Sequence, residues 1–201
     1  MKLHHLLIPL GIIAIAVVAI GAYQANSAPL PEGFPPATAD GQIEVKSYPA
    51  YRSATYRATG ELATAANRAF SPLYQHISSN EISMTAPVET RYPRSTIEAT
   101  NYETGEAQVS FLYRSTDIYP KEIADSISVE DISPMTVVSL GMVGSYSYQS
   151  YQEGLAQLKD WLQQHSEYEI VGSPRRFFYD GPYIPDGLKR SEIQIPIQLK
   201  D

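Results

Sequence analysis

The histidines are the side chains of this sequence best suited to bind a metal ion, but their spacing does not form a metal site. His4 and His5 precede a hydrophobic run, whereas His76 and His165 stand far apart in the chain. No His-Glu-x-x-His motif or glycine-rich phosphate loop occurs, and the chain has no cysteine. We therefore expect no catalytic residues and no resident metal ion, and a binding protein rather than an enzyme.

The tyrosines and the net charge narrow the class of ligand. The chain contains 15 tyrosines against 5 phenylalanines, and its formal net charge is −7. Amphipathic tyrosine rings suit a partly hydrated binding cleft, although they also suit ordinary strand faces. Because a negatively charged chain is a poor partner for a phosphate backbone, we expect no nucleic-acid partner.

Residues 1–22 are predicted to be a membrane anchor or a signal segment. Residues 6–22 are almost wholly apolar and follow Lys2. A run of this length is at the short limit of a membrane-spanning helix and just beyond the apolar region of a cleaved signal. We expect an N-terminal hydrophobic helix that anchors the chain, with its domain on the extracytoplasmic side, in the periplasm, a lumen or outside the cell. Secretion after signal cleavage is the alternative.

Residues 23–42 are predicted to form a proline-rich linker. This stretch contains four prolines and two glycines and has neither helical nor strand periodicity. We expect an extended tether, without another role, between the membrane segment and a domain over residues 43–201.

The first half of that domain has the periodicity of a strand, a helix and two further strands. Residues 43–59 are β-rich, and residues 60–77 place apolar side chains at three- and four-residue spacing on one helix face. Pro72 is expected to bend this helix. Residues 82–92 and 107–114 are then predicted to be extended.

The second half repeats this order. Residues 135–146 predict a strand, and Ser150 followed by Glu153 predicts a capping box at the start of a helix. Residues 168–179 and 191–199 predict two closing strands. Because one β-α-β-β unit cannot bury its sheet alone, we expect an α+β fold in which both units form one twisted, partly closed antiparallel sheet with two helices. The groove between helix and sheet is a natural site for a flat apolar ligand.

Three stretches together resemble the SOUL haem-binding family. They are IEVKSYPAYRSATY at 43–56, NEISMTAPV at 80–88 and FFYDGPYIPDGLKRSEIQIPI at 177–197. In the third, Gly181, Lys189 and Ser191 replace residues typical of the family. The resemblance implies the duplicated fold shared with GyrI-like small-molecule sensors, and it implies binding of haem or a related tetrapyrrole.

The resemblance also suggests the residues that would hold the ligand. Arg68 matches the family's helix arginine, which would face the groove rim and pair with a propionate, and Tyr179 matches the tyrosine of the Tyr-Asp segment. His76 could be an axial ligand, although a surface histidine near a helix end is the preferred interpretation. The expected cofactor-binding residues are Arg68, Leu73, Tyr74, His76, Tyr179 and Tyr183.

Two classes of function remain open at this point. One is binding, buffering or delivery of haem or a related tetrapyrrole at an extracytoplasmic membrane surface. The other is a GyrI-like sensor, scavenger or degrading enzyme for other flat amphipathic small molecules. Glu192 could pair with a cationic ligand in the second class, although an ion pair with Lys189 or Arg190 is the simpler interpretation.

Overall fold

The computed structural model describes residues 28–98 and 102–200. The strands are β1 (Ile43–Tyr48), β2 (Tyr51–Glu61), β3 (Val88–Arg91), β4 (Thr104–Leu112), β5 (Ile127–Ile132), β6 (Met135–Val143), β7 (Tyr168–Ile170), β8 (Arg175–Phe178) and β9 (Arg190–Leu199). The helices are α1 (Ala65–Ser79), α2 (Ser95–Glu98) and α3 (Tyr148–Gln164), with short 3-10 turns at Leu62–Thr64 and Asp186–Leu188. The predicted α+β class is confirmed, while the predicted N-terminal helix over residues 6–22 lies outside the described residues.

All nine strands belong to one antiparallel sheet, in the order β1-β6-β9-β8-β3-β4-β2-β5, with β7 paired to β9. The two halves meet where β3 of the first half pairs with β8 of the second half. The first strand of each half also pairs with the other half, because β1 pairs with β6 and β5 pairs with β2. The expectation of a partly closed sheet is wrong. The strands β1 and β5 lie at opposite ends of the sheet and do not pair with each other.

Several strand boundaries differ from those predicted. The predicted strand 43–59 is two strands, because pairing with β6 ends at Tyr48 and pairing with β5 begins at Tyr51, and Pro49 between them supplies no backbone N–H to a ladder. Strand β5 lies between Pro120 and Pro134, where the sequence predicts no strand. The predicted strand 168–179 is likewise divided into β7 and β8.

The two long helices, α1 and α3, pack on one face of the sheet, which we call the helix face. Helix α1 buries Ala65, Ala69, Leu73 and Ile77, and it contains Pro72. Helix α3 begins one turn earlier than the predicted capping box, because the Ser147 side chain accepts a hydrogen bond from the Ser150 backbone N–H at 3.1 Å.

Gly154 allows α3 to lie close to the sheet. A Cβ atom at this position would come within 2.8 Å of Ile193 and 2.9 Å of the Met142 sulfur. These distances are shorter than ordinary van der Waals contacts. The absence of a side chain at Gly154 therefore fixes the approach of α3 to β6 and β9.

The opposite face of the sheet, which we call the far face, is covered by residues 28–42. Phe34 packs its ring against Tyr48, Tyr51 and Phe177, with centroids 5.0, 5.2 and 6.3 Å apart. The chain continues along Gly141, whose carbonyl accepts a hydrogen bond from the Gly41 N–H at 2.9 Å. This part of the predicted linker is therefore packed on the domain rather than free. Among the described residues, no helix is both long and apolar enough to cross a membrane.

Candidate functional site

A groove of about 740 Å³ opens on the helix face, between α1 and the N-terminal end of α3. Its walls are mostly apolar and aromatic, as is usual for sites that bind small molecules. One wall is α1 with the turn before it, which contributes Leu62, Ala63, Ala66, Asn67 and Phe70. The other walls contain Met84, Thr85, Ala86, Val88, Tyr92, Tyr146, Tyr148, Phe178, Tyr179, Asp180, Gly181, Pro182, Ile184 and Lys189.

Hydrogen bonds fix the Met-Thr-Ala-Pro-Val stretch in the wall of this groove. The Thr85 hydroxyl donates to the carbonyl of Leu112, and the Ala86 N–H donates to the carbonyl of Pro29 at 3.0 Å. Met84 and Val88, on either side of these anchors, also pack against the core beneath the helices. Residues 84–88, which belong to the second of the three stretches that resemble the family, therefore shape the groove.

Tyrosine rings form a second wall, and their hydroxyl groups are already bound to protein atoms. The Tyr146 hydroxyl donates to the carbonyl of Arg190 at 2.6 Å, and the Tyr148 hydroxyl donates to the carbonyl of Tyr102 at 2.5 Å. Burial raises the pKa of Tyr148 to about 12. These tyrosines therefore present neutral rings for stacking rather than phenolate oxygens.

Of the six residues predicted to hold the ligand, Tyr179 lines the groove. It also lines a smaller cavity of about 400 Å³ beneath residues 28–40. Its hydroxyl donates to Glu192 at 2.9 Å, and burial raises its pKa well above the ordinary value. Tyr179 therefore lies at the edge of the groove, with its side chain buried in the aromatic cluster of the far face.

Three of the other predicted residues are exposed, outside the groove lining. The Arg68 guanidinium donates to the Thr64 hydroxyl and to the Thr59 carbonyl. Tyr74 stacks on Phe70, a groove residue, with centroids 5.9 Å apart, and Tyr183 is 96% exposed. Arg68 directly follows Asn67, which lines the groove, and its position at the groove rim and its role in propionate binding stay predictions.

The remaining two predicted residues are buried in the core. Leu73 packs under α1, and His76 is 3% exposed, so His76 is not the surface histidine that its position near a helix end suggested. Its Nε2 atom lies 2.8 Å from the Tyr113 hydroxyl, and burial lowers its pKa. No cluster of three or more histidine, aspartate and glutamate side chains that could hold a metal ion occurs in the described part of the chain.

Glu192 lies on the far face, away from the groove. It forms an ion pair with Lys46 at 2.6 Å and accepts a hydrogen bond from the Thr38 N–H. The expected ion pair with Lys189 or Arg190 is wrong, because these two cations pair with aspartates in the 180–186 segment. The side-chain alternation of β9 explains this result: Ile193 takes the helix face, so Glu192 must take the other.

Sequence reasoning missed a buried arginine below the groove. Arg175 and Arg176 are adjacent on β8 and are both 1% exposed. Arg176 pairs in register with Ile193 of the helix face, and Arg175 pairs with Gln194 of the far face. The sequence contained a signal for this burial, since two arginines stand directly before two phenylalanines. In a buried strand, side-chain alternation places one of the two guanidinium groups on each face.

Comparison with known proteins shows both the fold and the family. The C-terminal domain of EcmrR is 19% identical, with a TM-score of 0.62 over 79% of this chain and 98% of that chain. EcmrR in a complex with DNA gives 20% identity and a TM-score of 0.63, but the chain spans 58% of that longer protein. A hydrolase from Listeria innocua is 10% identical over 80% of this chain and 94% of that chain, with a TM-score of 0.53. No curated protein sequence matches the chain.

The structural likenesses are too distant in sequence to carry function, but they show that these proteins share the fold of this chain. The sequence model for the SOUL heme-binding protein matches residues 34–196. This match covers both long helices, all strands except the last three residues of β9, and the groove residues from Leu62 to Lys189. The chain therefore belongs to the SOUL heme-binding family.

Proposed function

We propose that this chain binds haem or a related tetrapyrrole in the groove between α1 and α3. The groove itself is the observation that carries the proposal. Its volume of about 740 Å³ lies in the range of small-molecule sites, and its walls offer the apolar and aromatic contacts that a flat macrocycle requires. Family membership supports the same ligand class.

The groove wall favours ring stacking over iron ligation. Tyr146, Tyr148 and Tyr179 use their hydroxyl groups in hydrogen bonds to the protein. His76 faces Tyr113 within the core. Tight binding therefore does not depend on an axial histidine, and His76→Ala is expected to keep most of the affinity for hemin.

The proposal also includes the cellular location at which the ligand is bound. The apolar run at 6–22, with its lysine on the N-terminal side, supports a domain held at an extracytoplasmic membrane surface. There the protein would hold, buffer or deliver its ligand. A GyrI-like sensor or scavenger of other flat amphipathic molecules is the second candidate, because the fold is that of the GyrI-like group.

A titration of the full-length chain with hemin tests the proposal. Ala66 is half-buried in the groove wall, and Gln75 is exposed on the same helix outside the groove. Ala66→Trp fills the groove and should weaken hemin binding at least tenfold, whereas Gln75→Trp adds the same ring elsewhere and should change it little. Circular dichroism controls for folding. Equal affinities of the two variants and the parent chain would overturn the groove as the binding site.

A further inference from the structure

Arg176 carries a buried positive charge that no described carboxylate neutralises. Its guanidinium donates to the Ser147 carbonyl at 2.8 Å, to the Ser145 carbonyl at 3.3 Å and to the Ser191 hydroxyl at 3.1 Å. Its Nε atom is buried without a hydrogen-bond partner among the described residues. Arg175, its neighbour on the far face, instead pairs with Glu89 at 3.2 Å. A buried cation bound to neutral acceptors alone is costly, and it calls for an explanation.

This cation lies directly behind the groove wall. The guanidinium carbon is 5.4 Å from the centre of the Tyr146 ring and 5.0 Å from that of the Phe178 ring, and both rings line the groove. Thr90 is the cross-strand partner of Arg176, so both side chains leave the sheet on the helix face. The Thr90 hydroxyl is also buried without a described partner. Two unsatisfied polar atoms thus stand together below an apolar groove.

The other charged side chains around the groove are paired, so the positive charge of Arg176 is not balanced there. Lys189 pairs with Asp186 at 2.7 Å, and Arg190 pairs with Asp180 at 2.8 Å, so these charges cancel in pairs. The buried carboxylates Glu89 and Glu192 lie on the far face and have their own cations. Because the groove wall excludes water, the charge of Arg176 is felt by a ligand more strongly than it would be at the surface.

We infer that the groove selects flat ligands that carry a negative charge, through the electrostatic field of the Arg176 guanidinium behind the rings of Tyr146 and Phe178. This inference rests on the proposed function and specifies the ligand class: planar macrocycles with carboxylate groups, rather than neutral or cationic planar molecules. Arg176 is a specificity-determining residue in this account. Attraction between this charge and a carboxylate across a wall that excludes water corresponds to roughly tenfold to a hundredfold in affinity.

The test compares one macrocycle with and without its charge. Protoporphyrin IX and its dimethyl ester share the same ring, and neither contains iron, so axial ligation does not affect the comparison. Each is titrated into the full-length chain and followed by porphyrin fluorescence. The parent chain is expected to bind the diacid roughly tenfold to a hundredfold more tightly than the ester, and this preference should shrink in Arg176→Gln. Arg176→Lys, which keeps the charge, should retain part of the preference.

Arg57→Gln is the matched control, because Arg57 is an exposed arginine on β2 that pairs with Glu106. It should leave the preference unchanged. If Arg176→Gln fails to fold, the affinities of the parent chain and of Arg176→Lys for the diacid and the ester still test charge selection. Equal affinity of the parent chain for diacid and ester would overturn charge selection while leaving the groove as a porphyrin site. Binding of neither porphyrin would overturn the proposed function, and this inference with it.

Discussion

At the scale of single residues, the ion pair of Lys46 and Glu192 shows how the far face is held. The two side chains join β1 to β9, and Glu192 is fully buried. Burial raises the pKa of Glu192, but the Lys46 ammonium and the Thr38 N–H outweigh it and bring the pKa below its ordinary value of 4.5. The carboxylate is therefore ionised at neutral pH and depends on its partners.

Removing Lys46 should destabilise the fold strongly. Lys46→Met leaves a buried carboxylate without its cation, and the free energy of unfolding should fall by about 3 to 5 kcal/mol. The exposed pair of Arg57 and Glu106 serves as the control, since Arg57→Met should cost at most about 1 kcal/mol. Urea unfolding of both variants measures the difference. A loss in Lys46→Met no larger than in the control would contradict the account of this pair.

The same pair predicts how stability depends on pH. Because the folded pKa of Glu192 is lowered, its contribution is present above the unfolded pKa near 4.5 and is lost as the pH falls through the folded pKa. The double variant Lys46→Met with Glu192→Gln should lose stability less steeply in acid than the parent chain. Urea unfolding measured across acidic pH tests this expectation, and parallel curves would refute it.

The residues of the site were harder to predict than its position in the chain. The Met-Thr-Ala-Pro-Val stretch and Tyr179 were identified from the resemblance, and both line the groove. Arg176 was missed because a charged residue in a strand is ordinarily taken to be exposed. Its burial depends on which strands flank β8, and this pairing is not visible in local sequence patterns.

At the scale of elements, the segment 28–42 is part of the domain. It lies close to β6 at Gly141, where a Cβ atom would come within 2.2 Å of the Ala39 carbonyl oxygen. The Gly141 N–H also donates a hydrogen bond to the carbonyl of Gln42 at 3.1 Å. A glycine at this position is therefore required for the segment to cover the far face.

Gly141→Ala should lift this segment from the sheet. The added methyl group would collide with backbone atoms, which cannot rotate away as a side-chain end can. We expect faster hydrogen exchange in residues 38–42 and a lower melting temperature. Gly187→Ala is the control, because nothing lies within 4 Å of a Cβ atom there. Unchanged exchange in Gly141→Ala would contradict the described packing.

The helices and the last strand could be predicted because their apolar periodicity is regular. The helix predicted over residues 60–77 matches α1 to within a few residues, and the strand predicted over 191–199 matches almost all of β9. Strand β5 escaped prediction because its burial is mostly partial and it lies between prolines. The packing of residues 28–42 also escaped, since extended chain without periodicity looks the same whether it is free or docked on a sheet.

At the scale of the whole molecule, the groove exists because two similar halves meet. The wall from α1 belongs to the first half, and the walls from Tyr146, Tyr148 and the 178–184 segment belong to the second. The halves are joined by the pairing of β3 with β8 and by the strands that they exchange. Duplication was visible in the order of the elements, whereas the open sheet depends on the exchanged edge strands.

The N-terminal run leads to a prediction about location. We expect the full-length chain to fractionate with membranes, with its domain open to protease added from the extracytoplasmic side. The reason is the apolar character of residues 6–22 and the position of Lys2 before them. Recovery of the intact chain wholly in the soluble cytoplasmic fraction would disprove it.

The central claim is that a tetrapyrrole lies in the groove between α1 and α3, and paramagnetic broadening of methyl signals by hemin tests it most directly. When hemin is added to the full-length chain, the methyl signals of Ala63, Ala66 and Met84, which line the groove, should lose intensity first. The signals of Val137, buried on the far face, should persist. Broadening of Val137 and the nearby Ala37 with the groove methyl groups unaffected would contradict the claim.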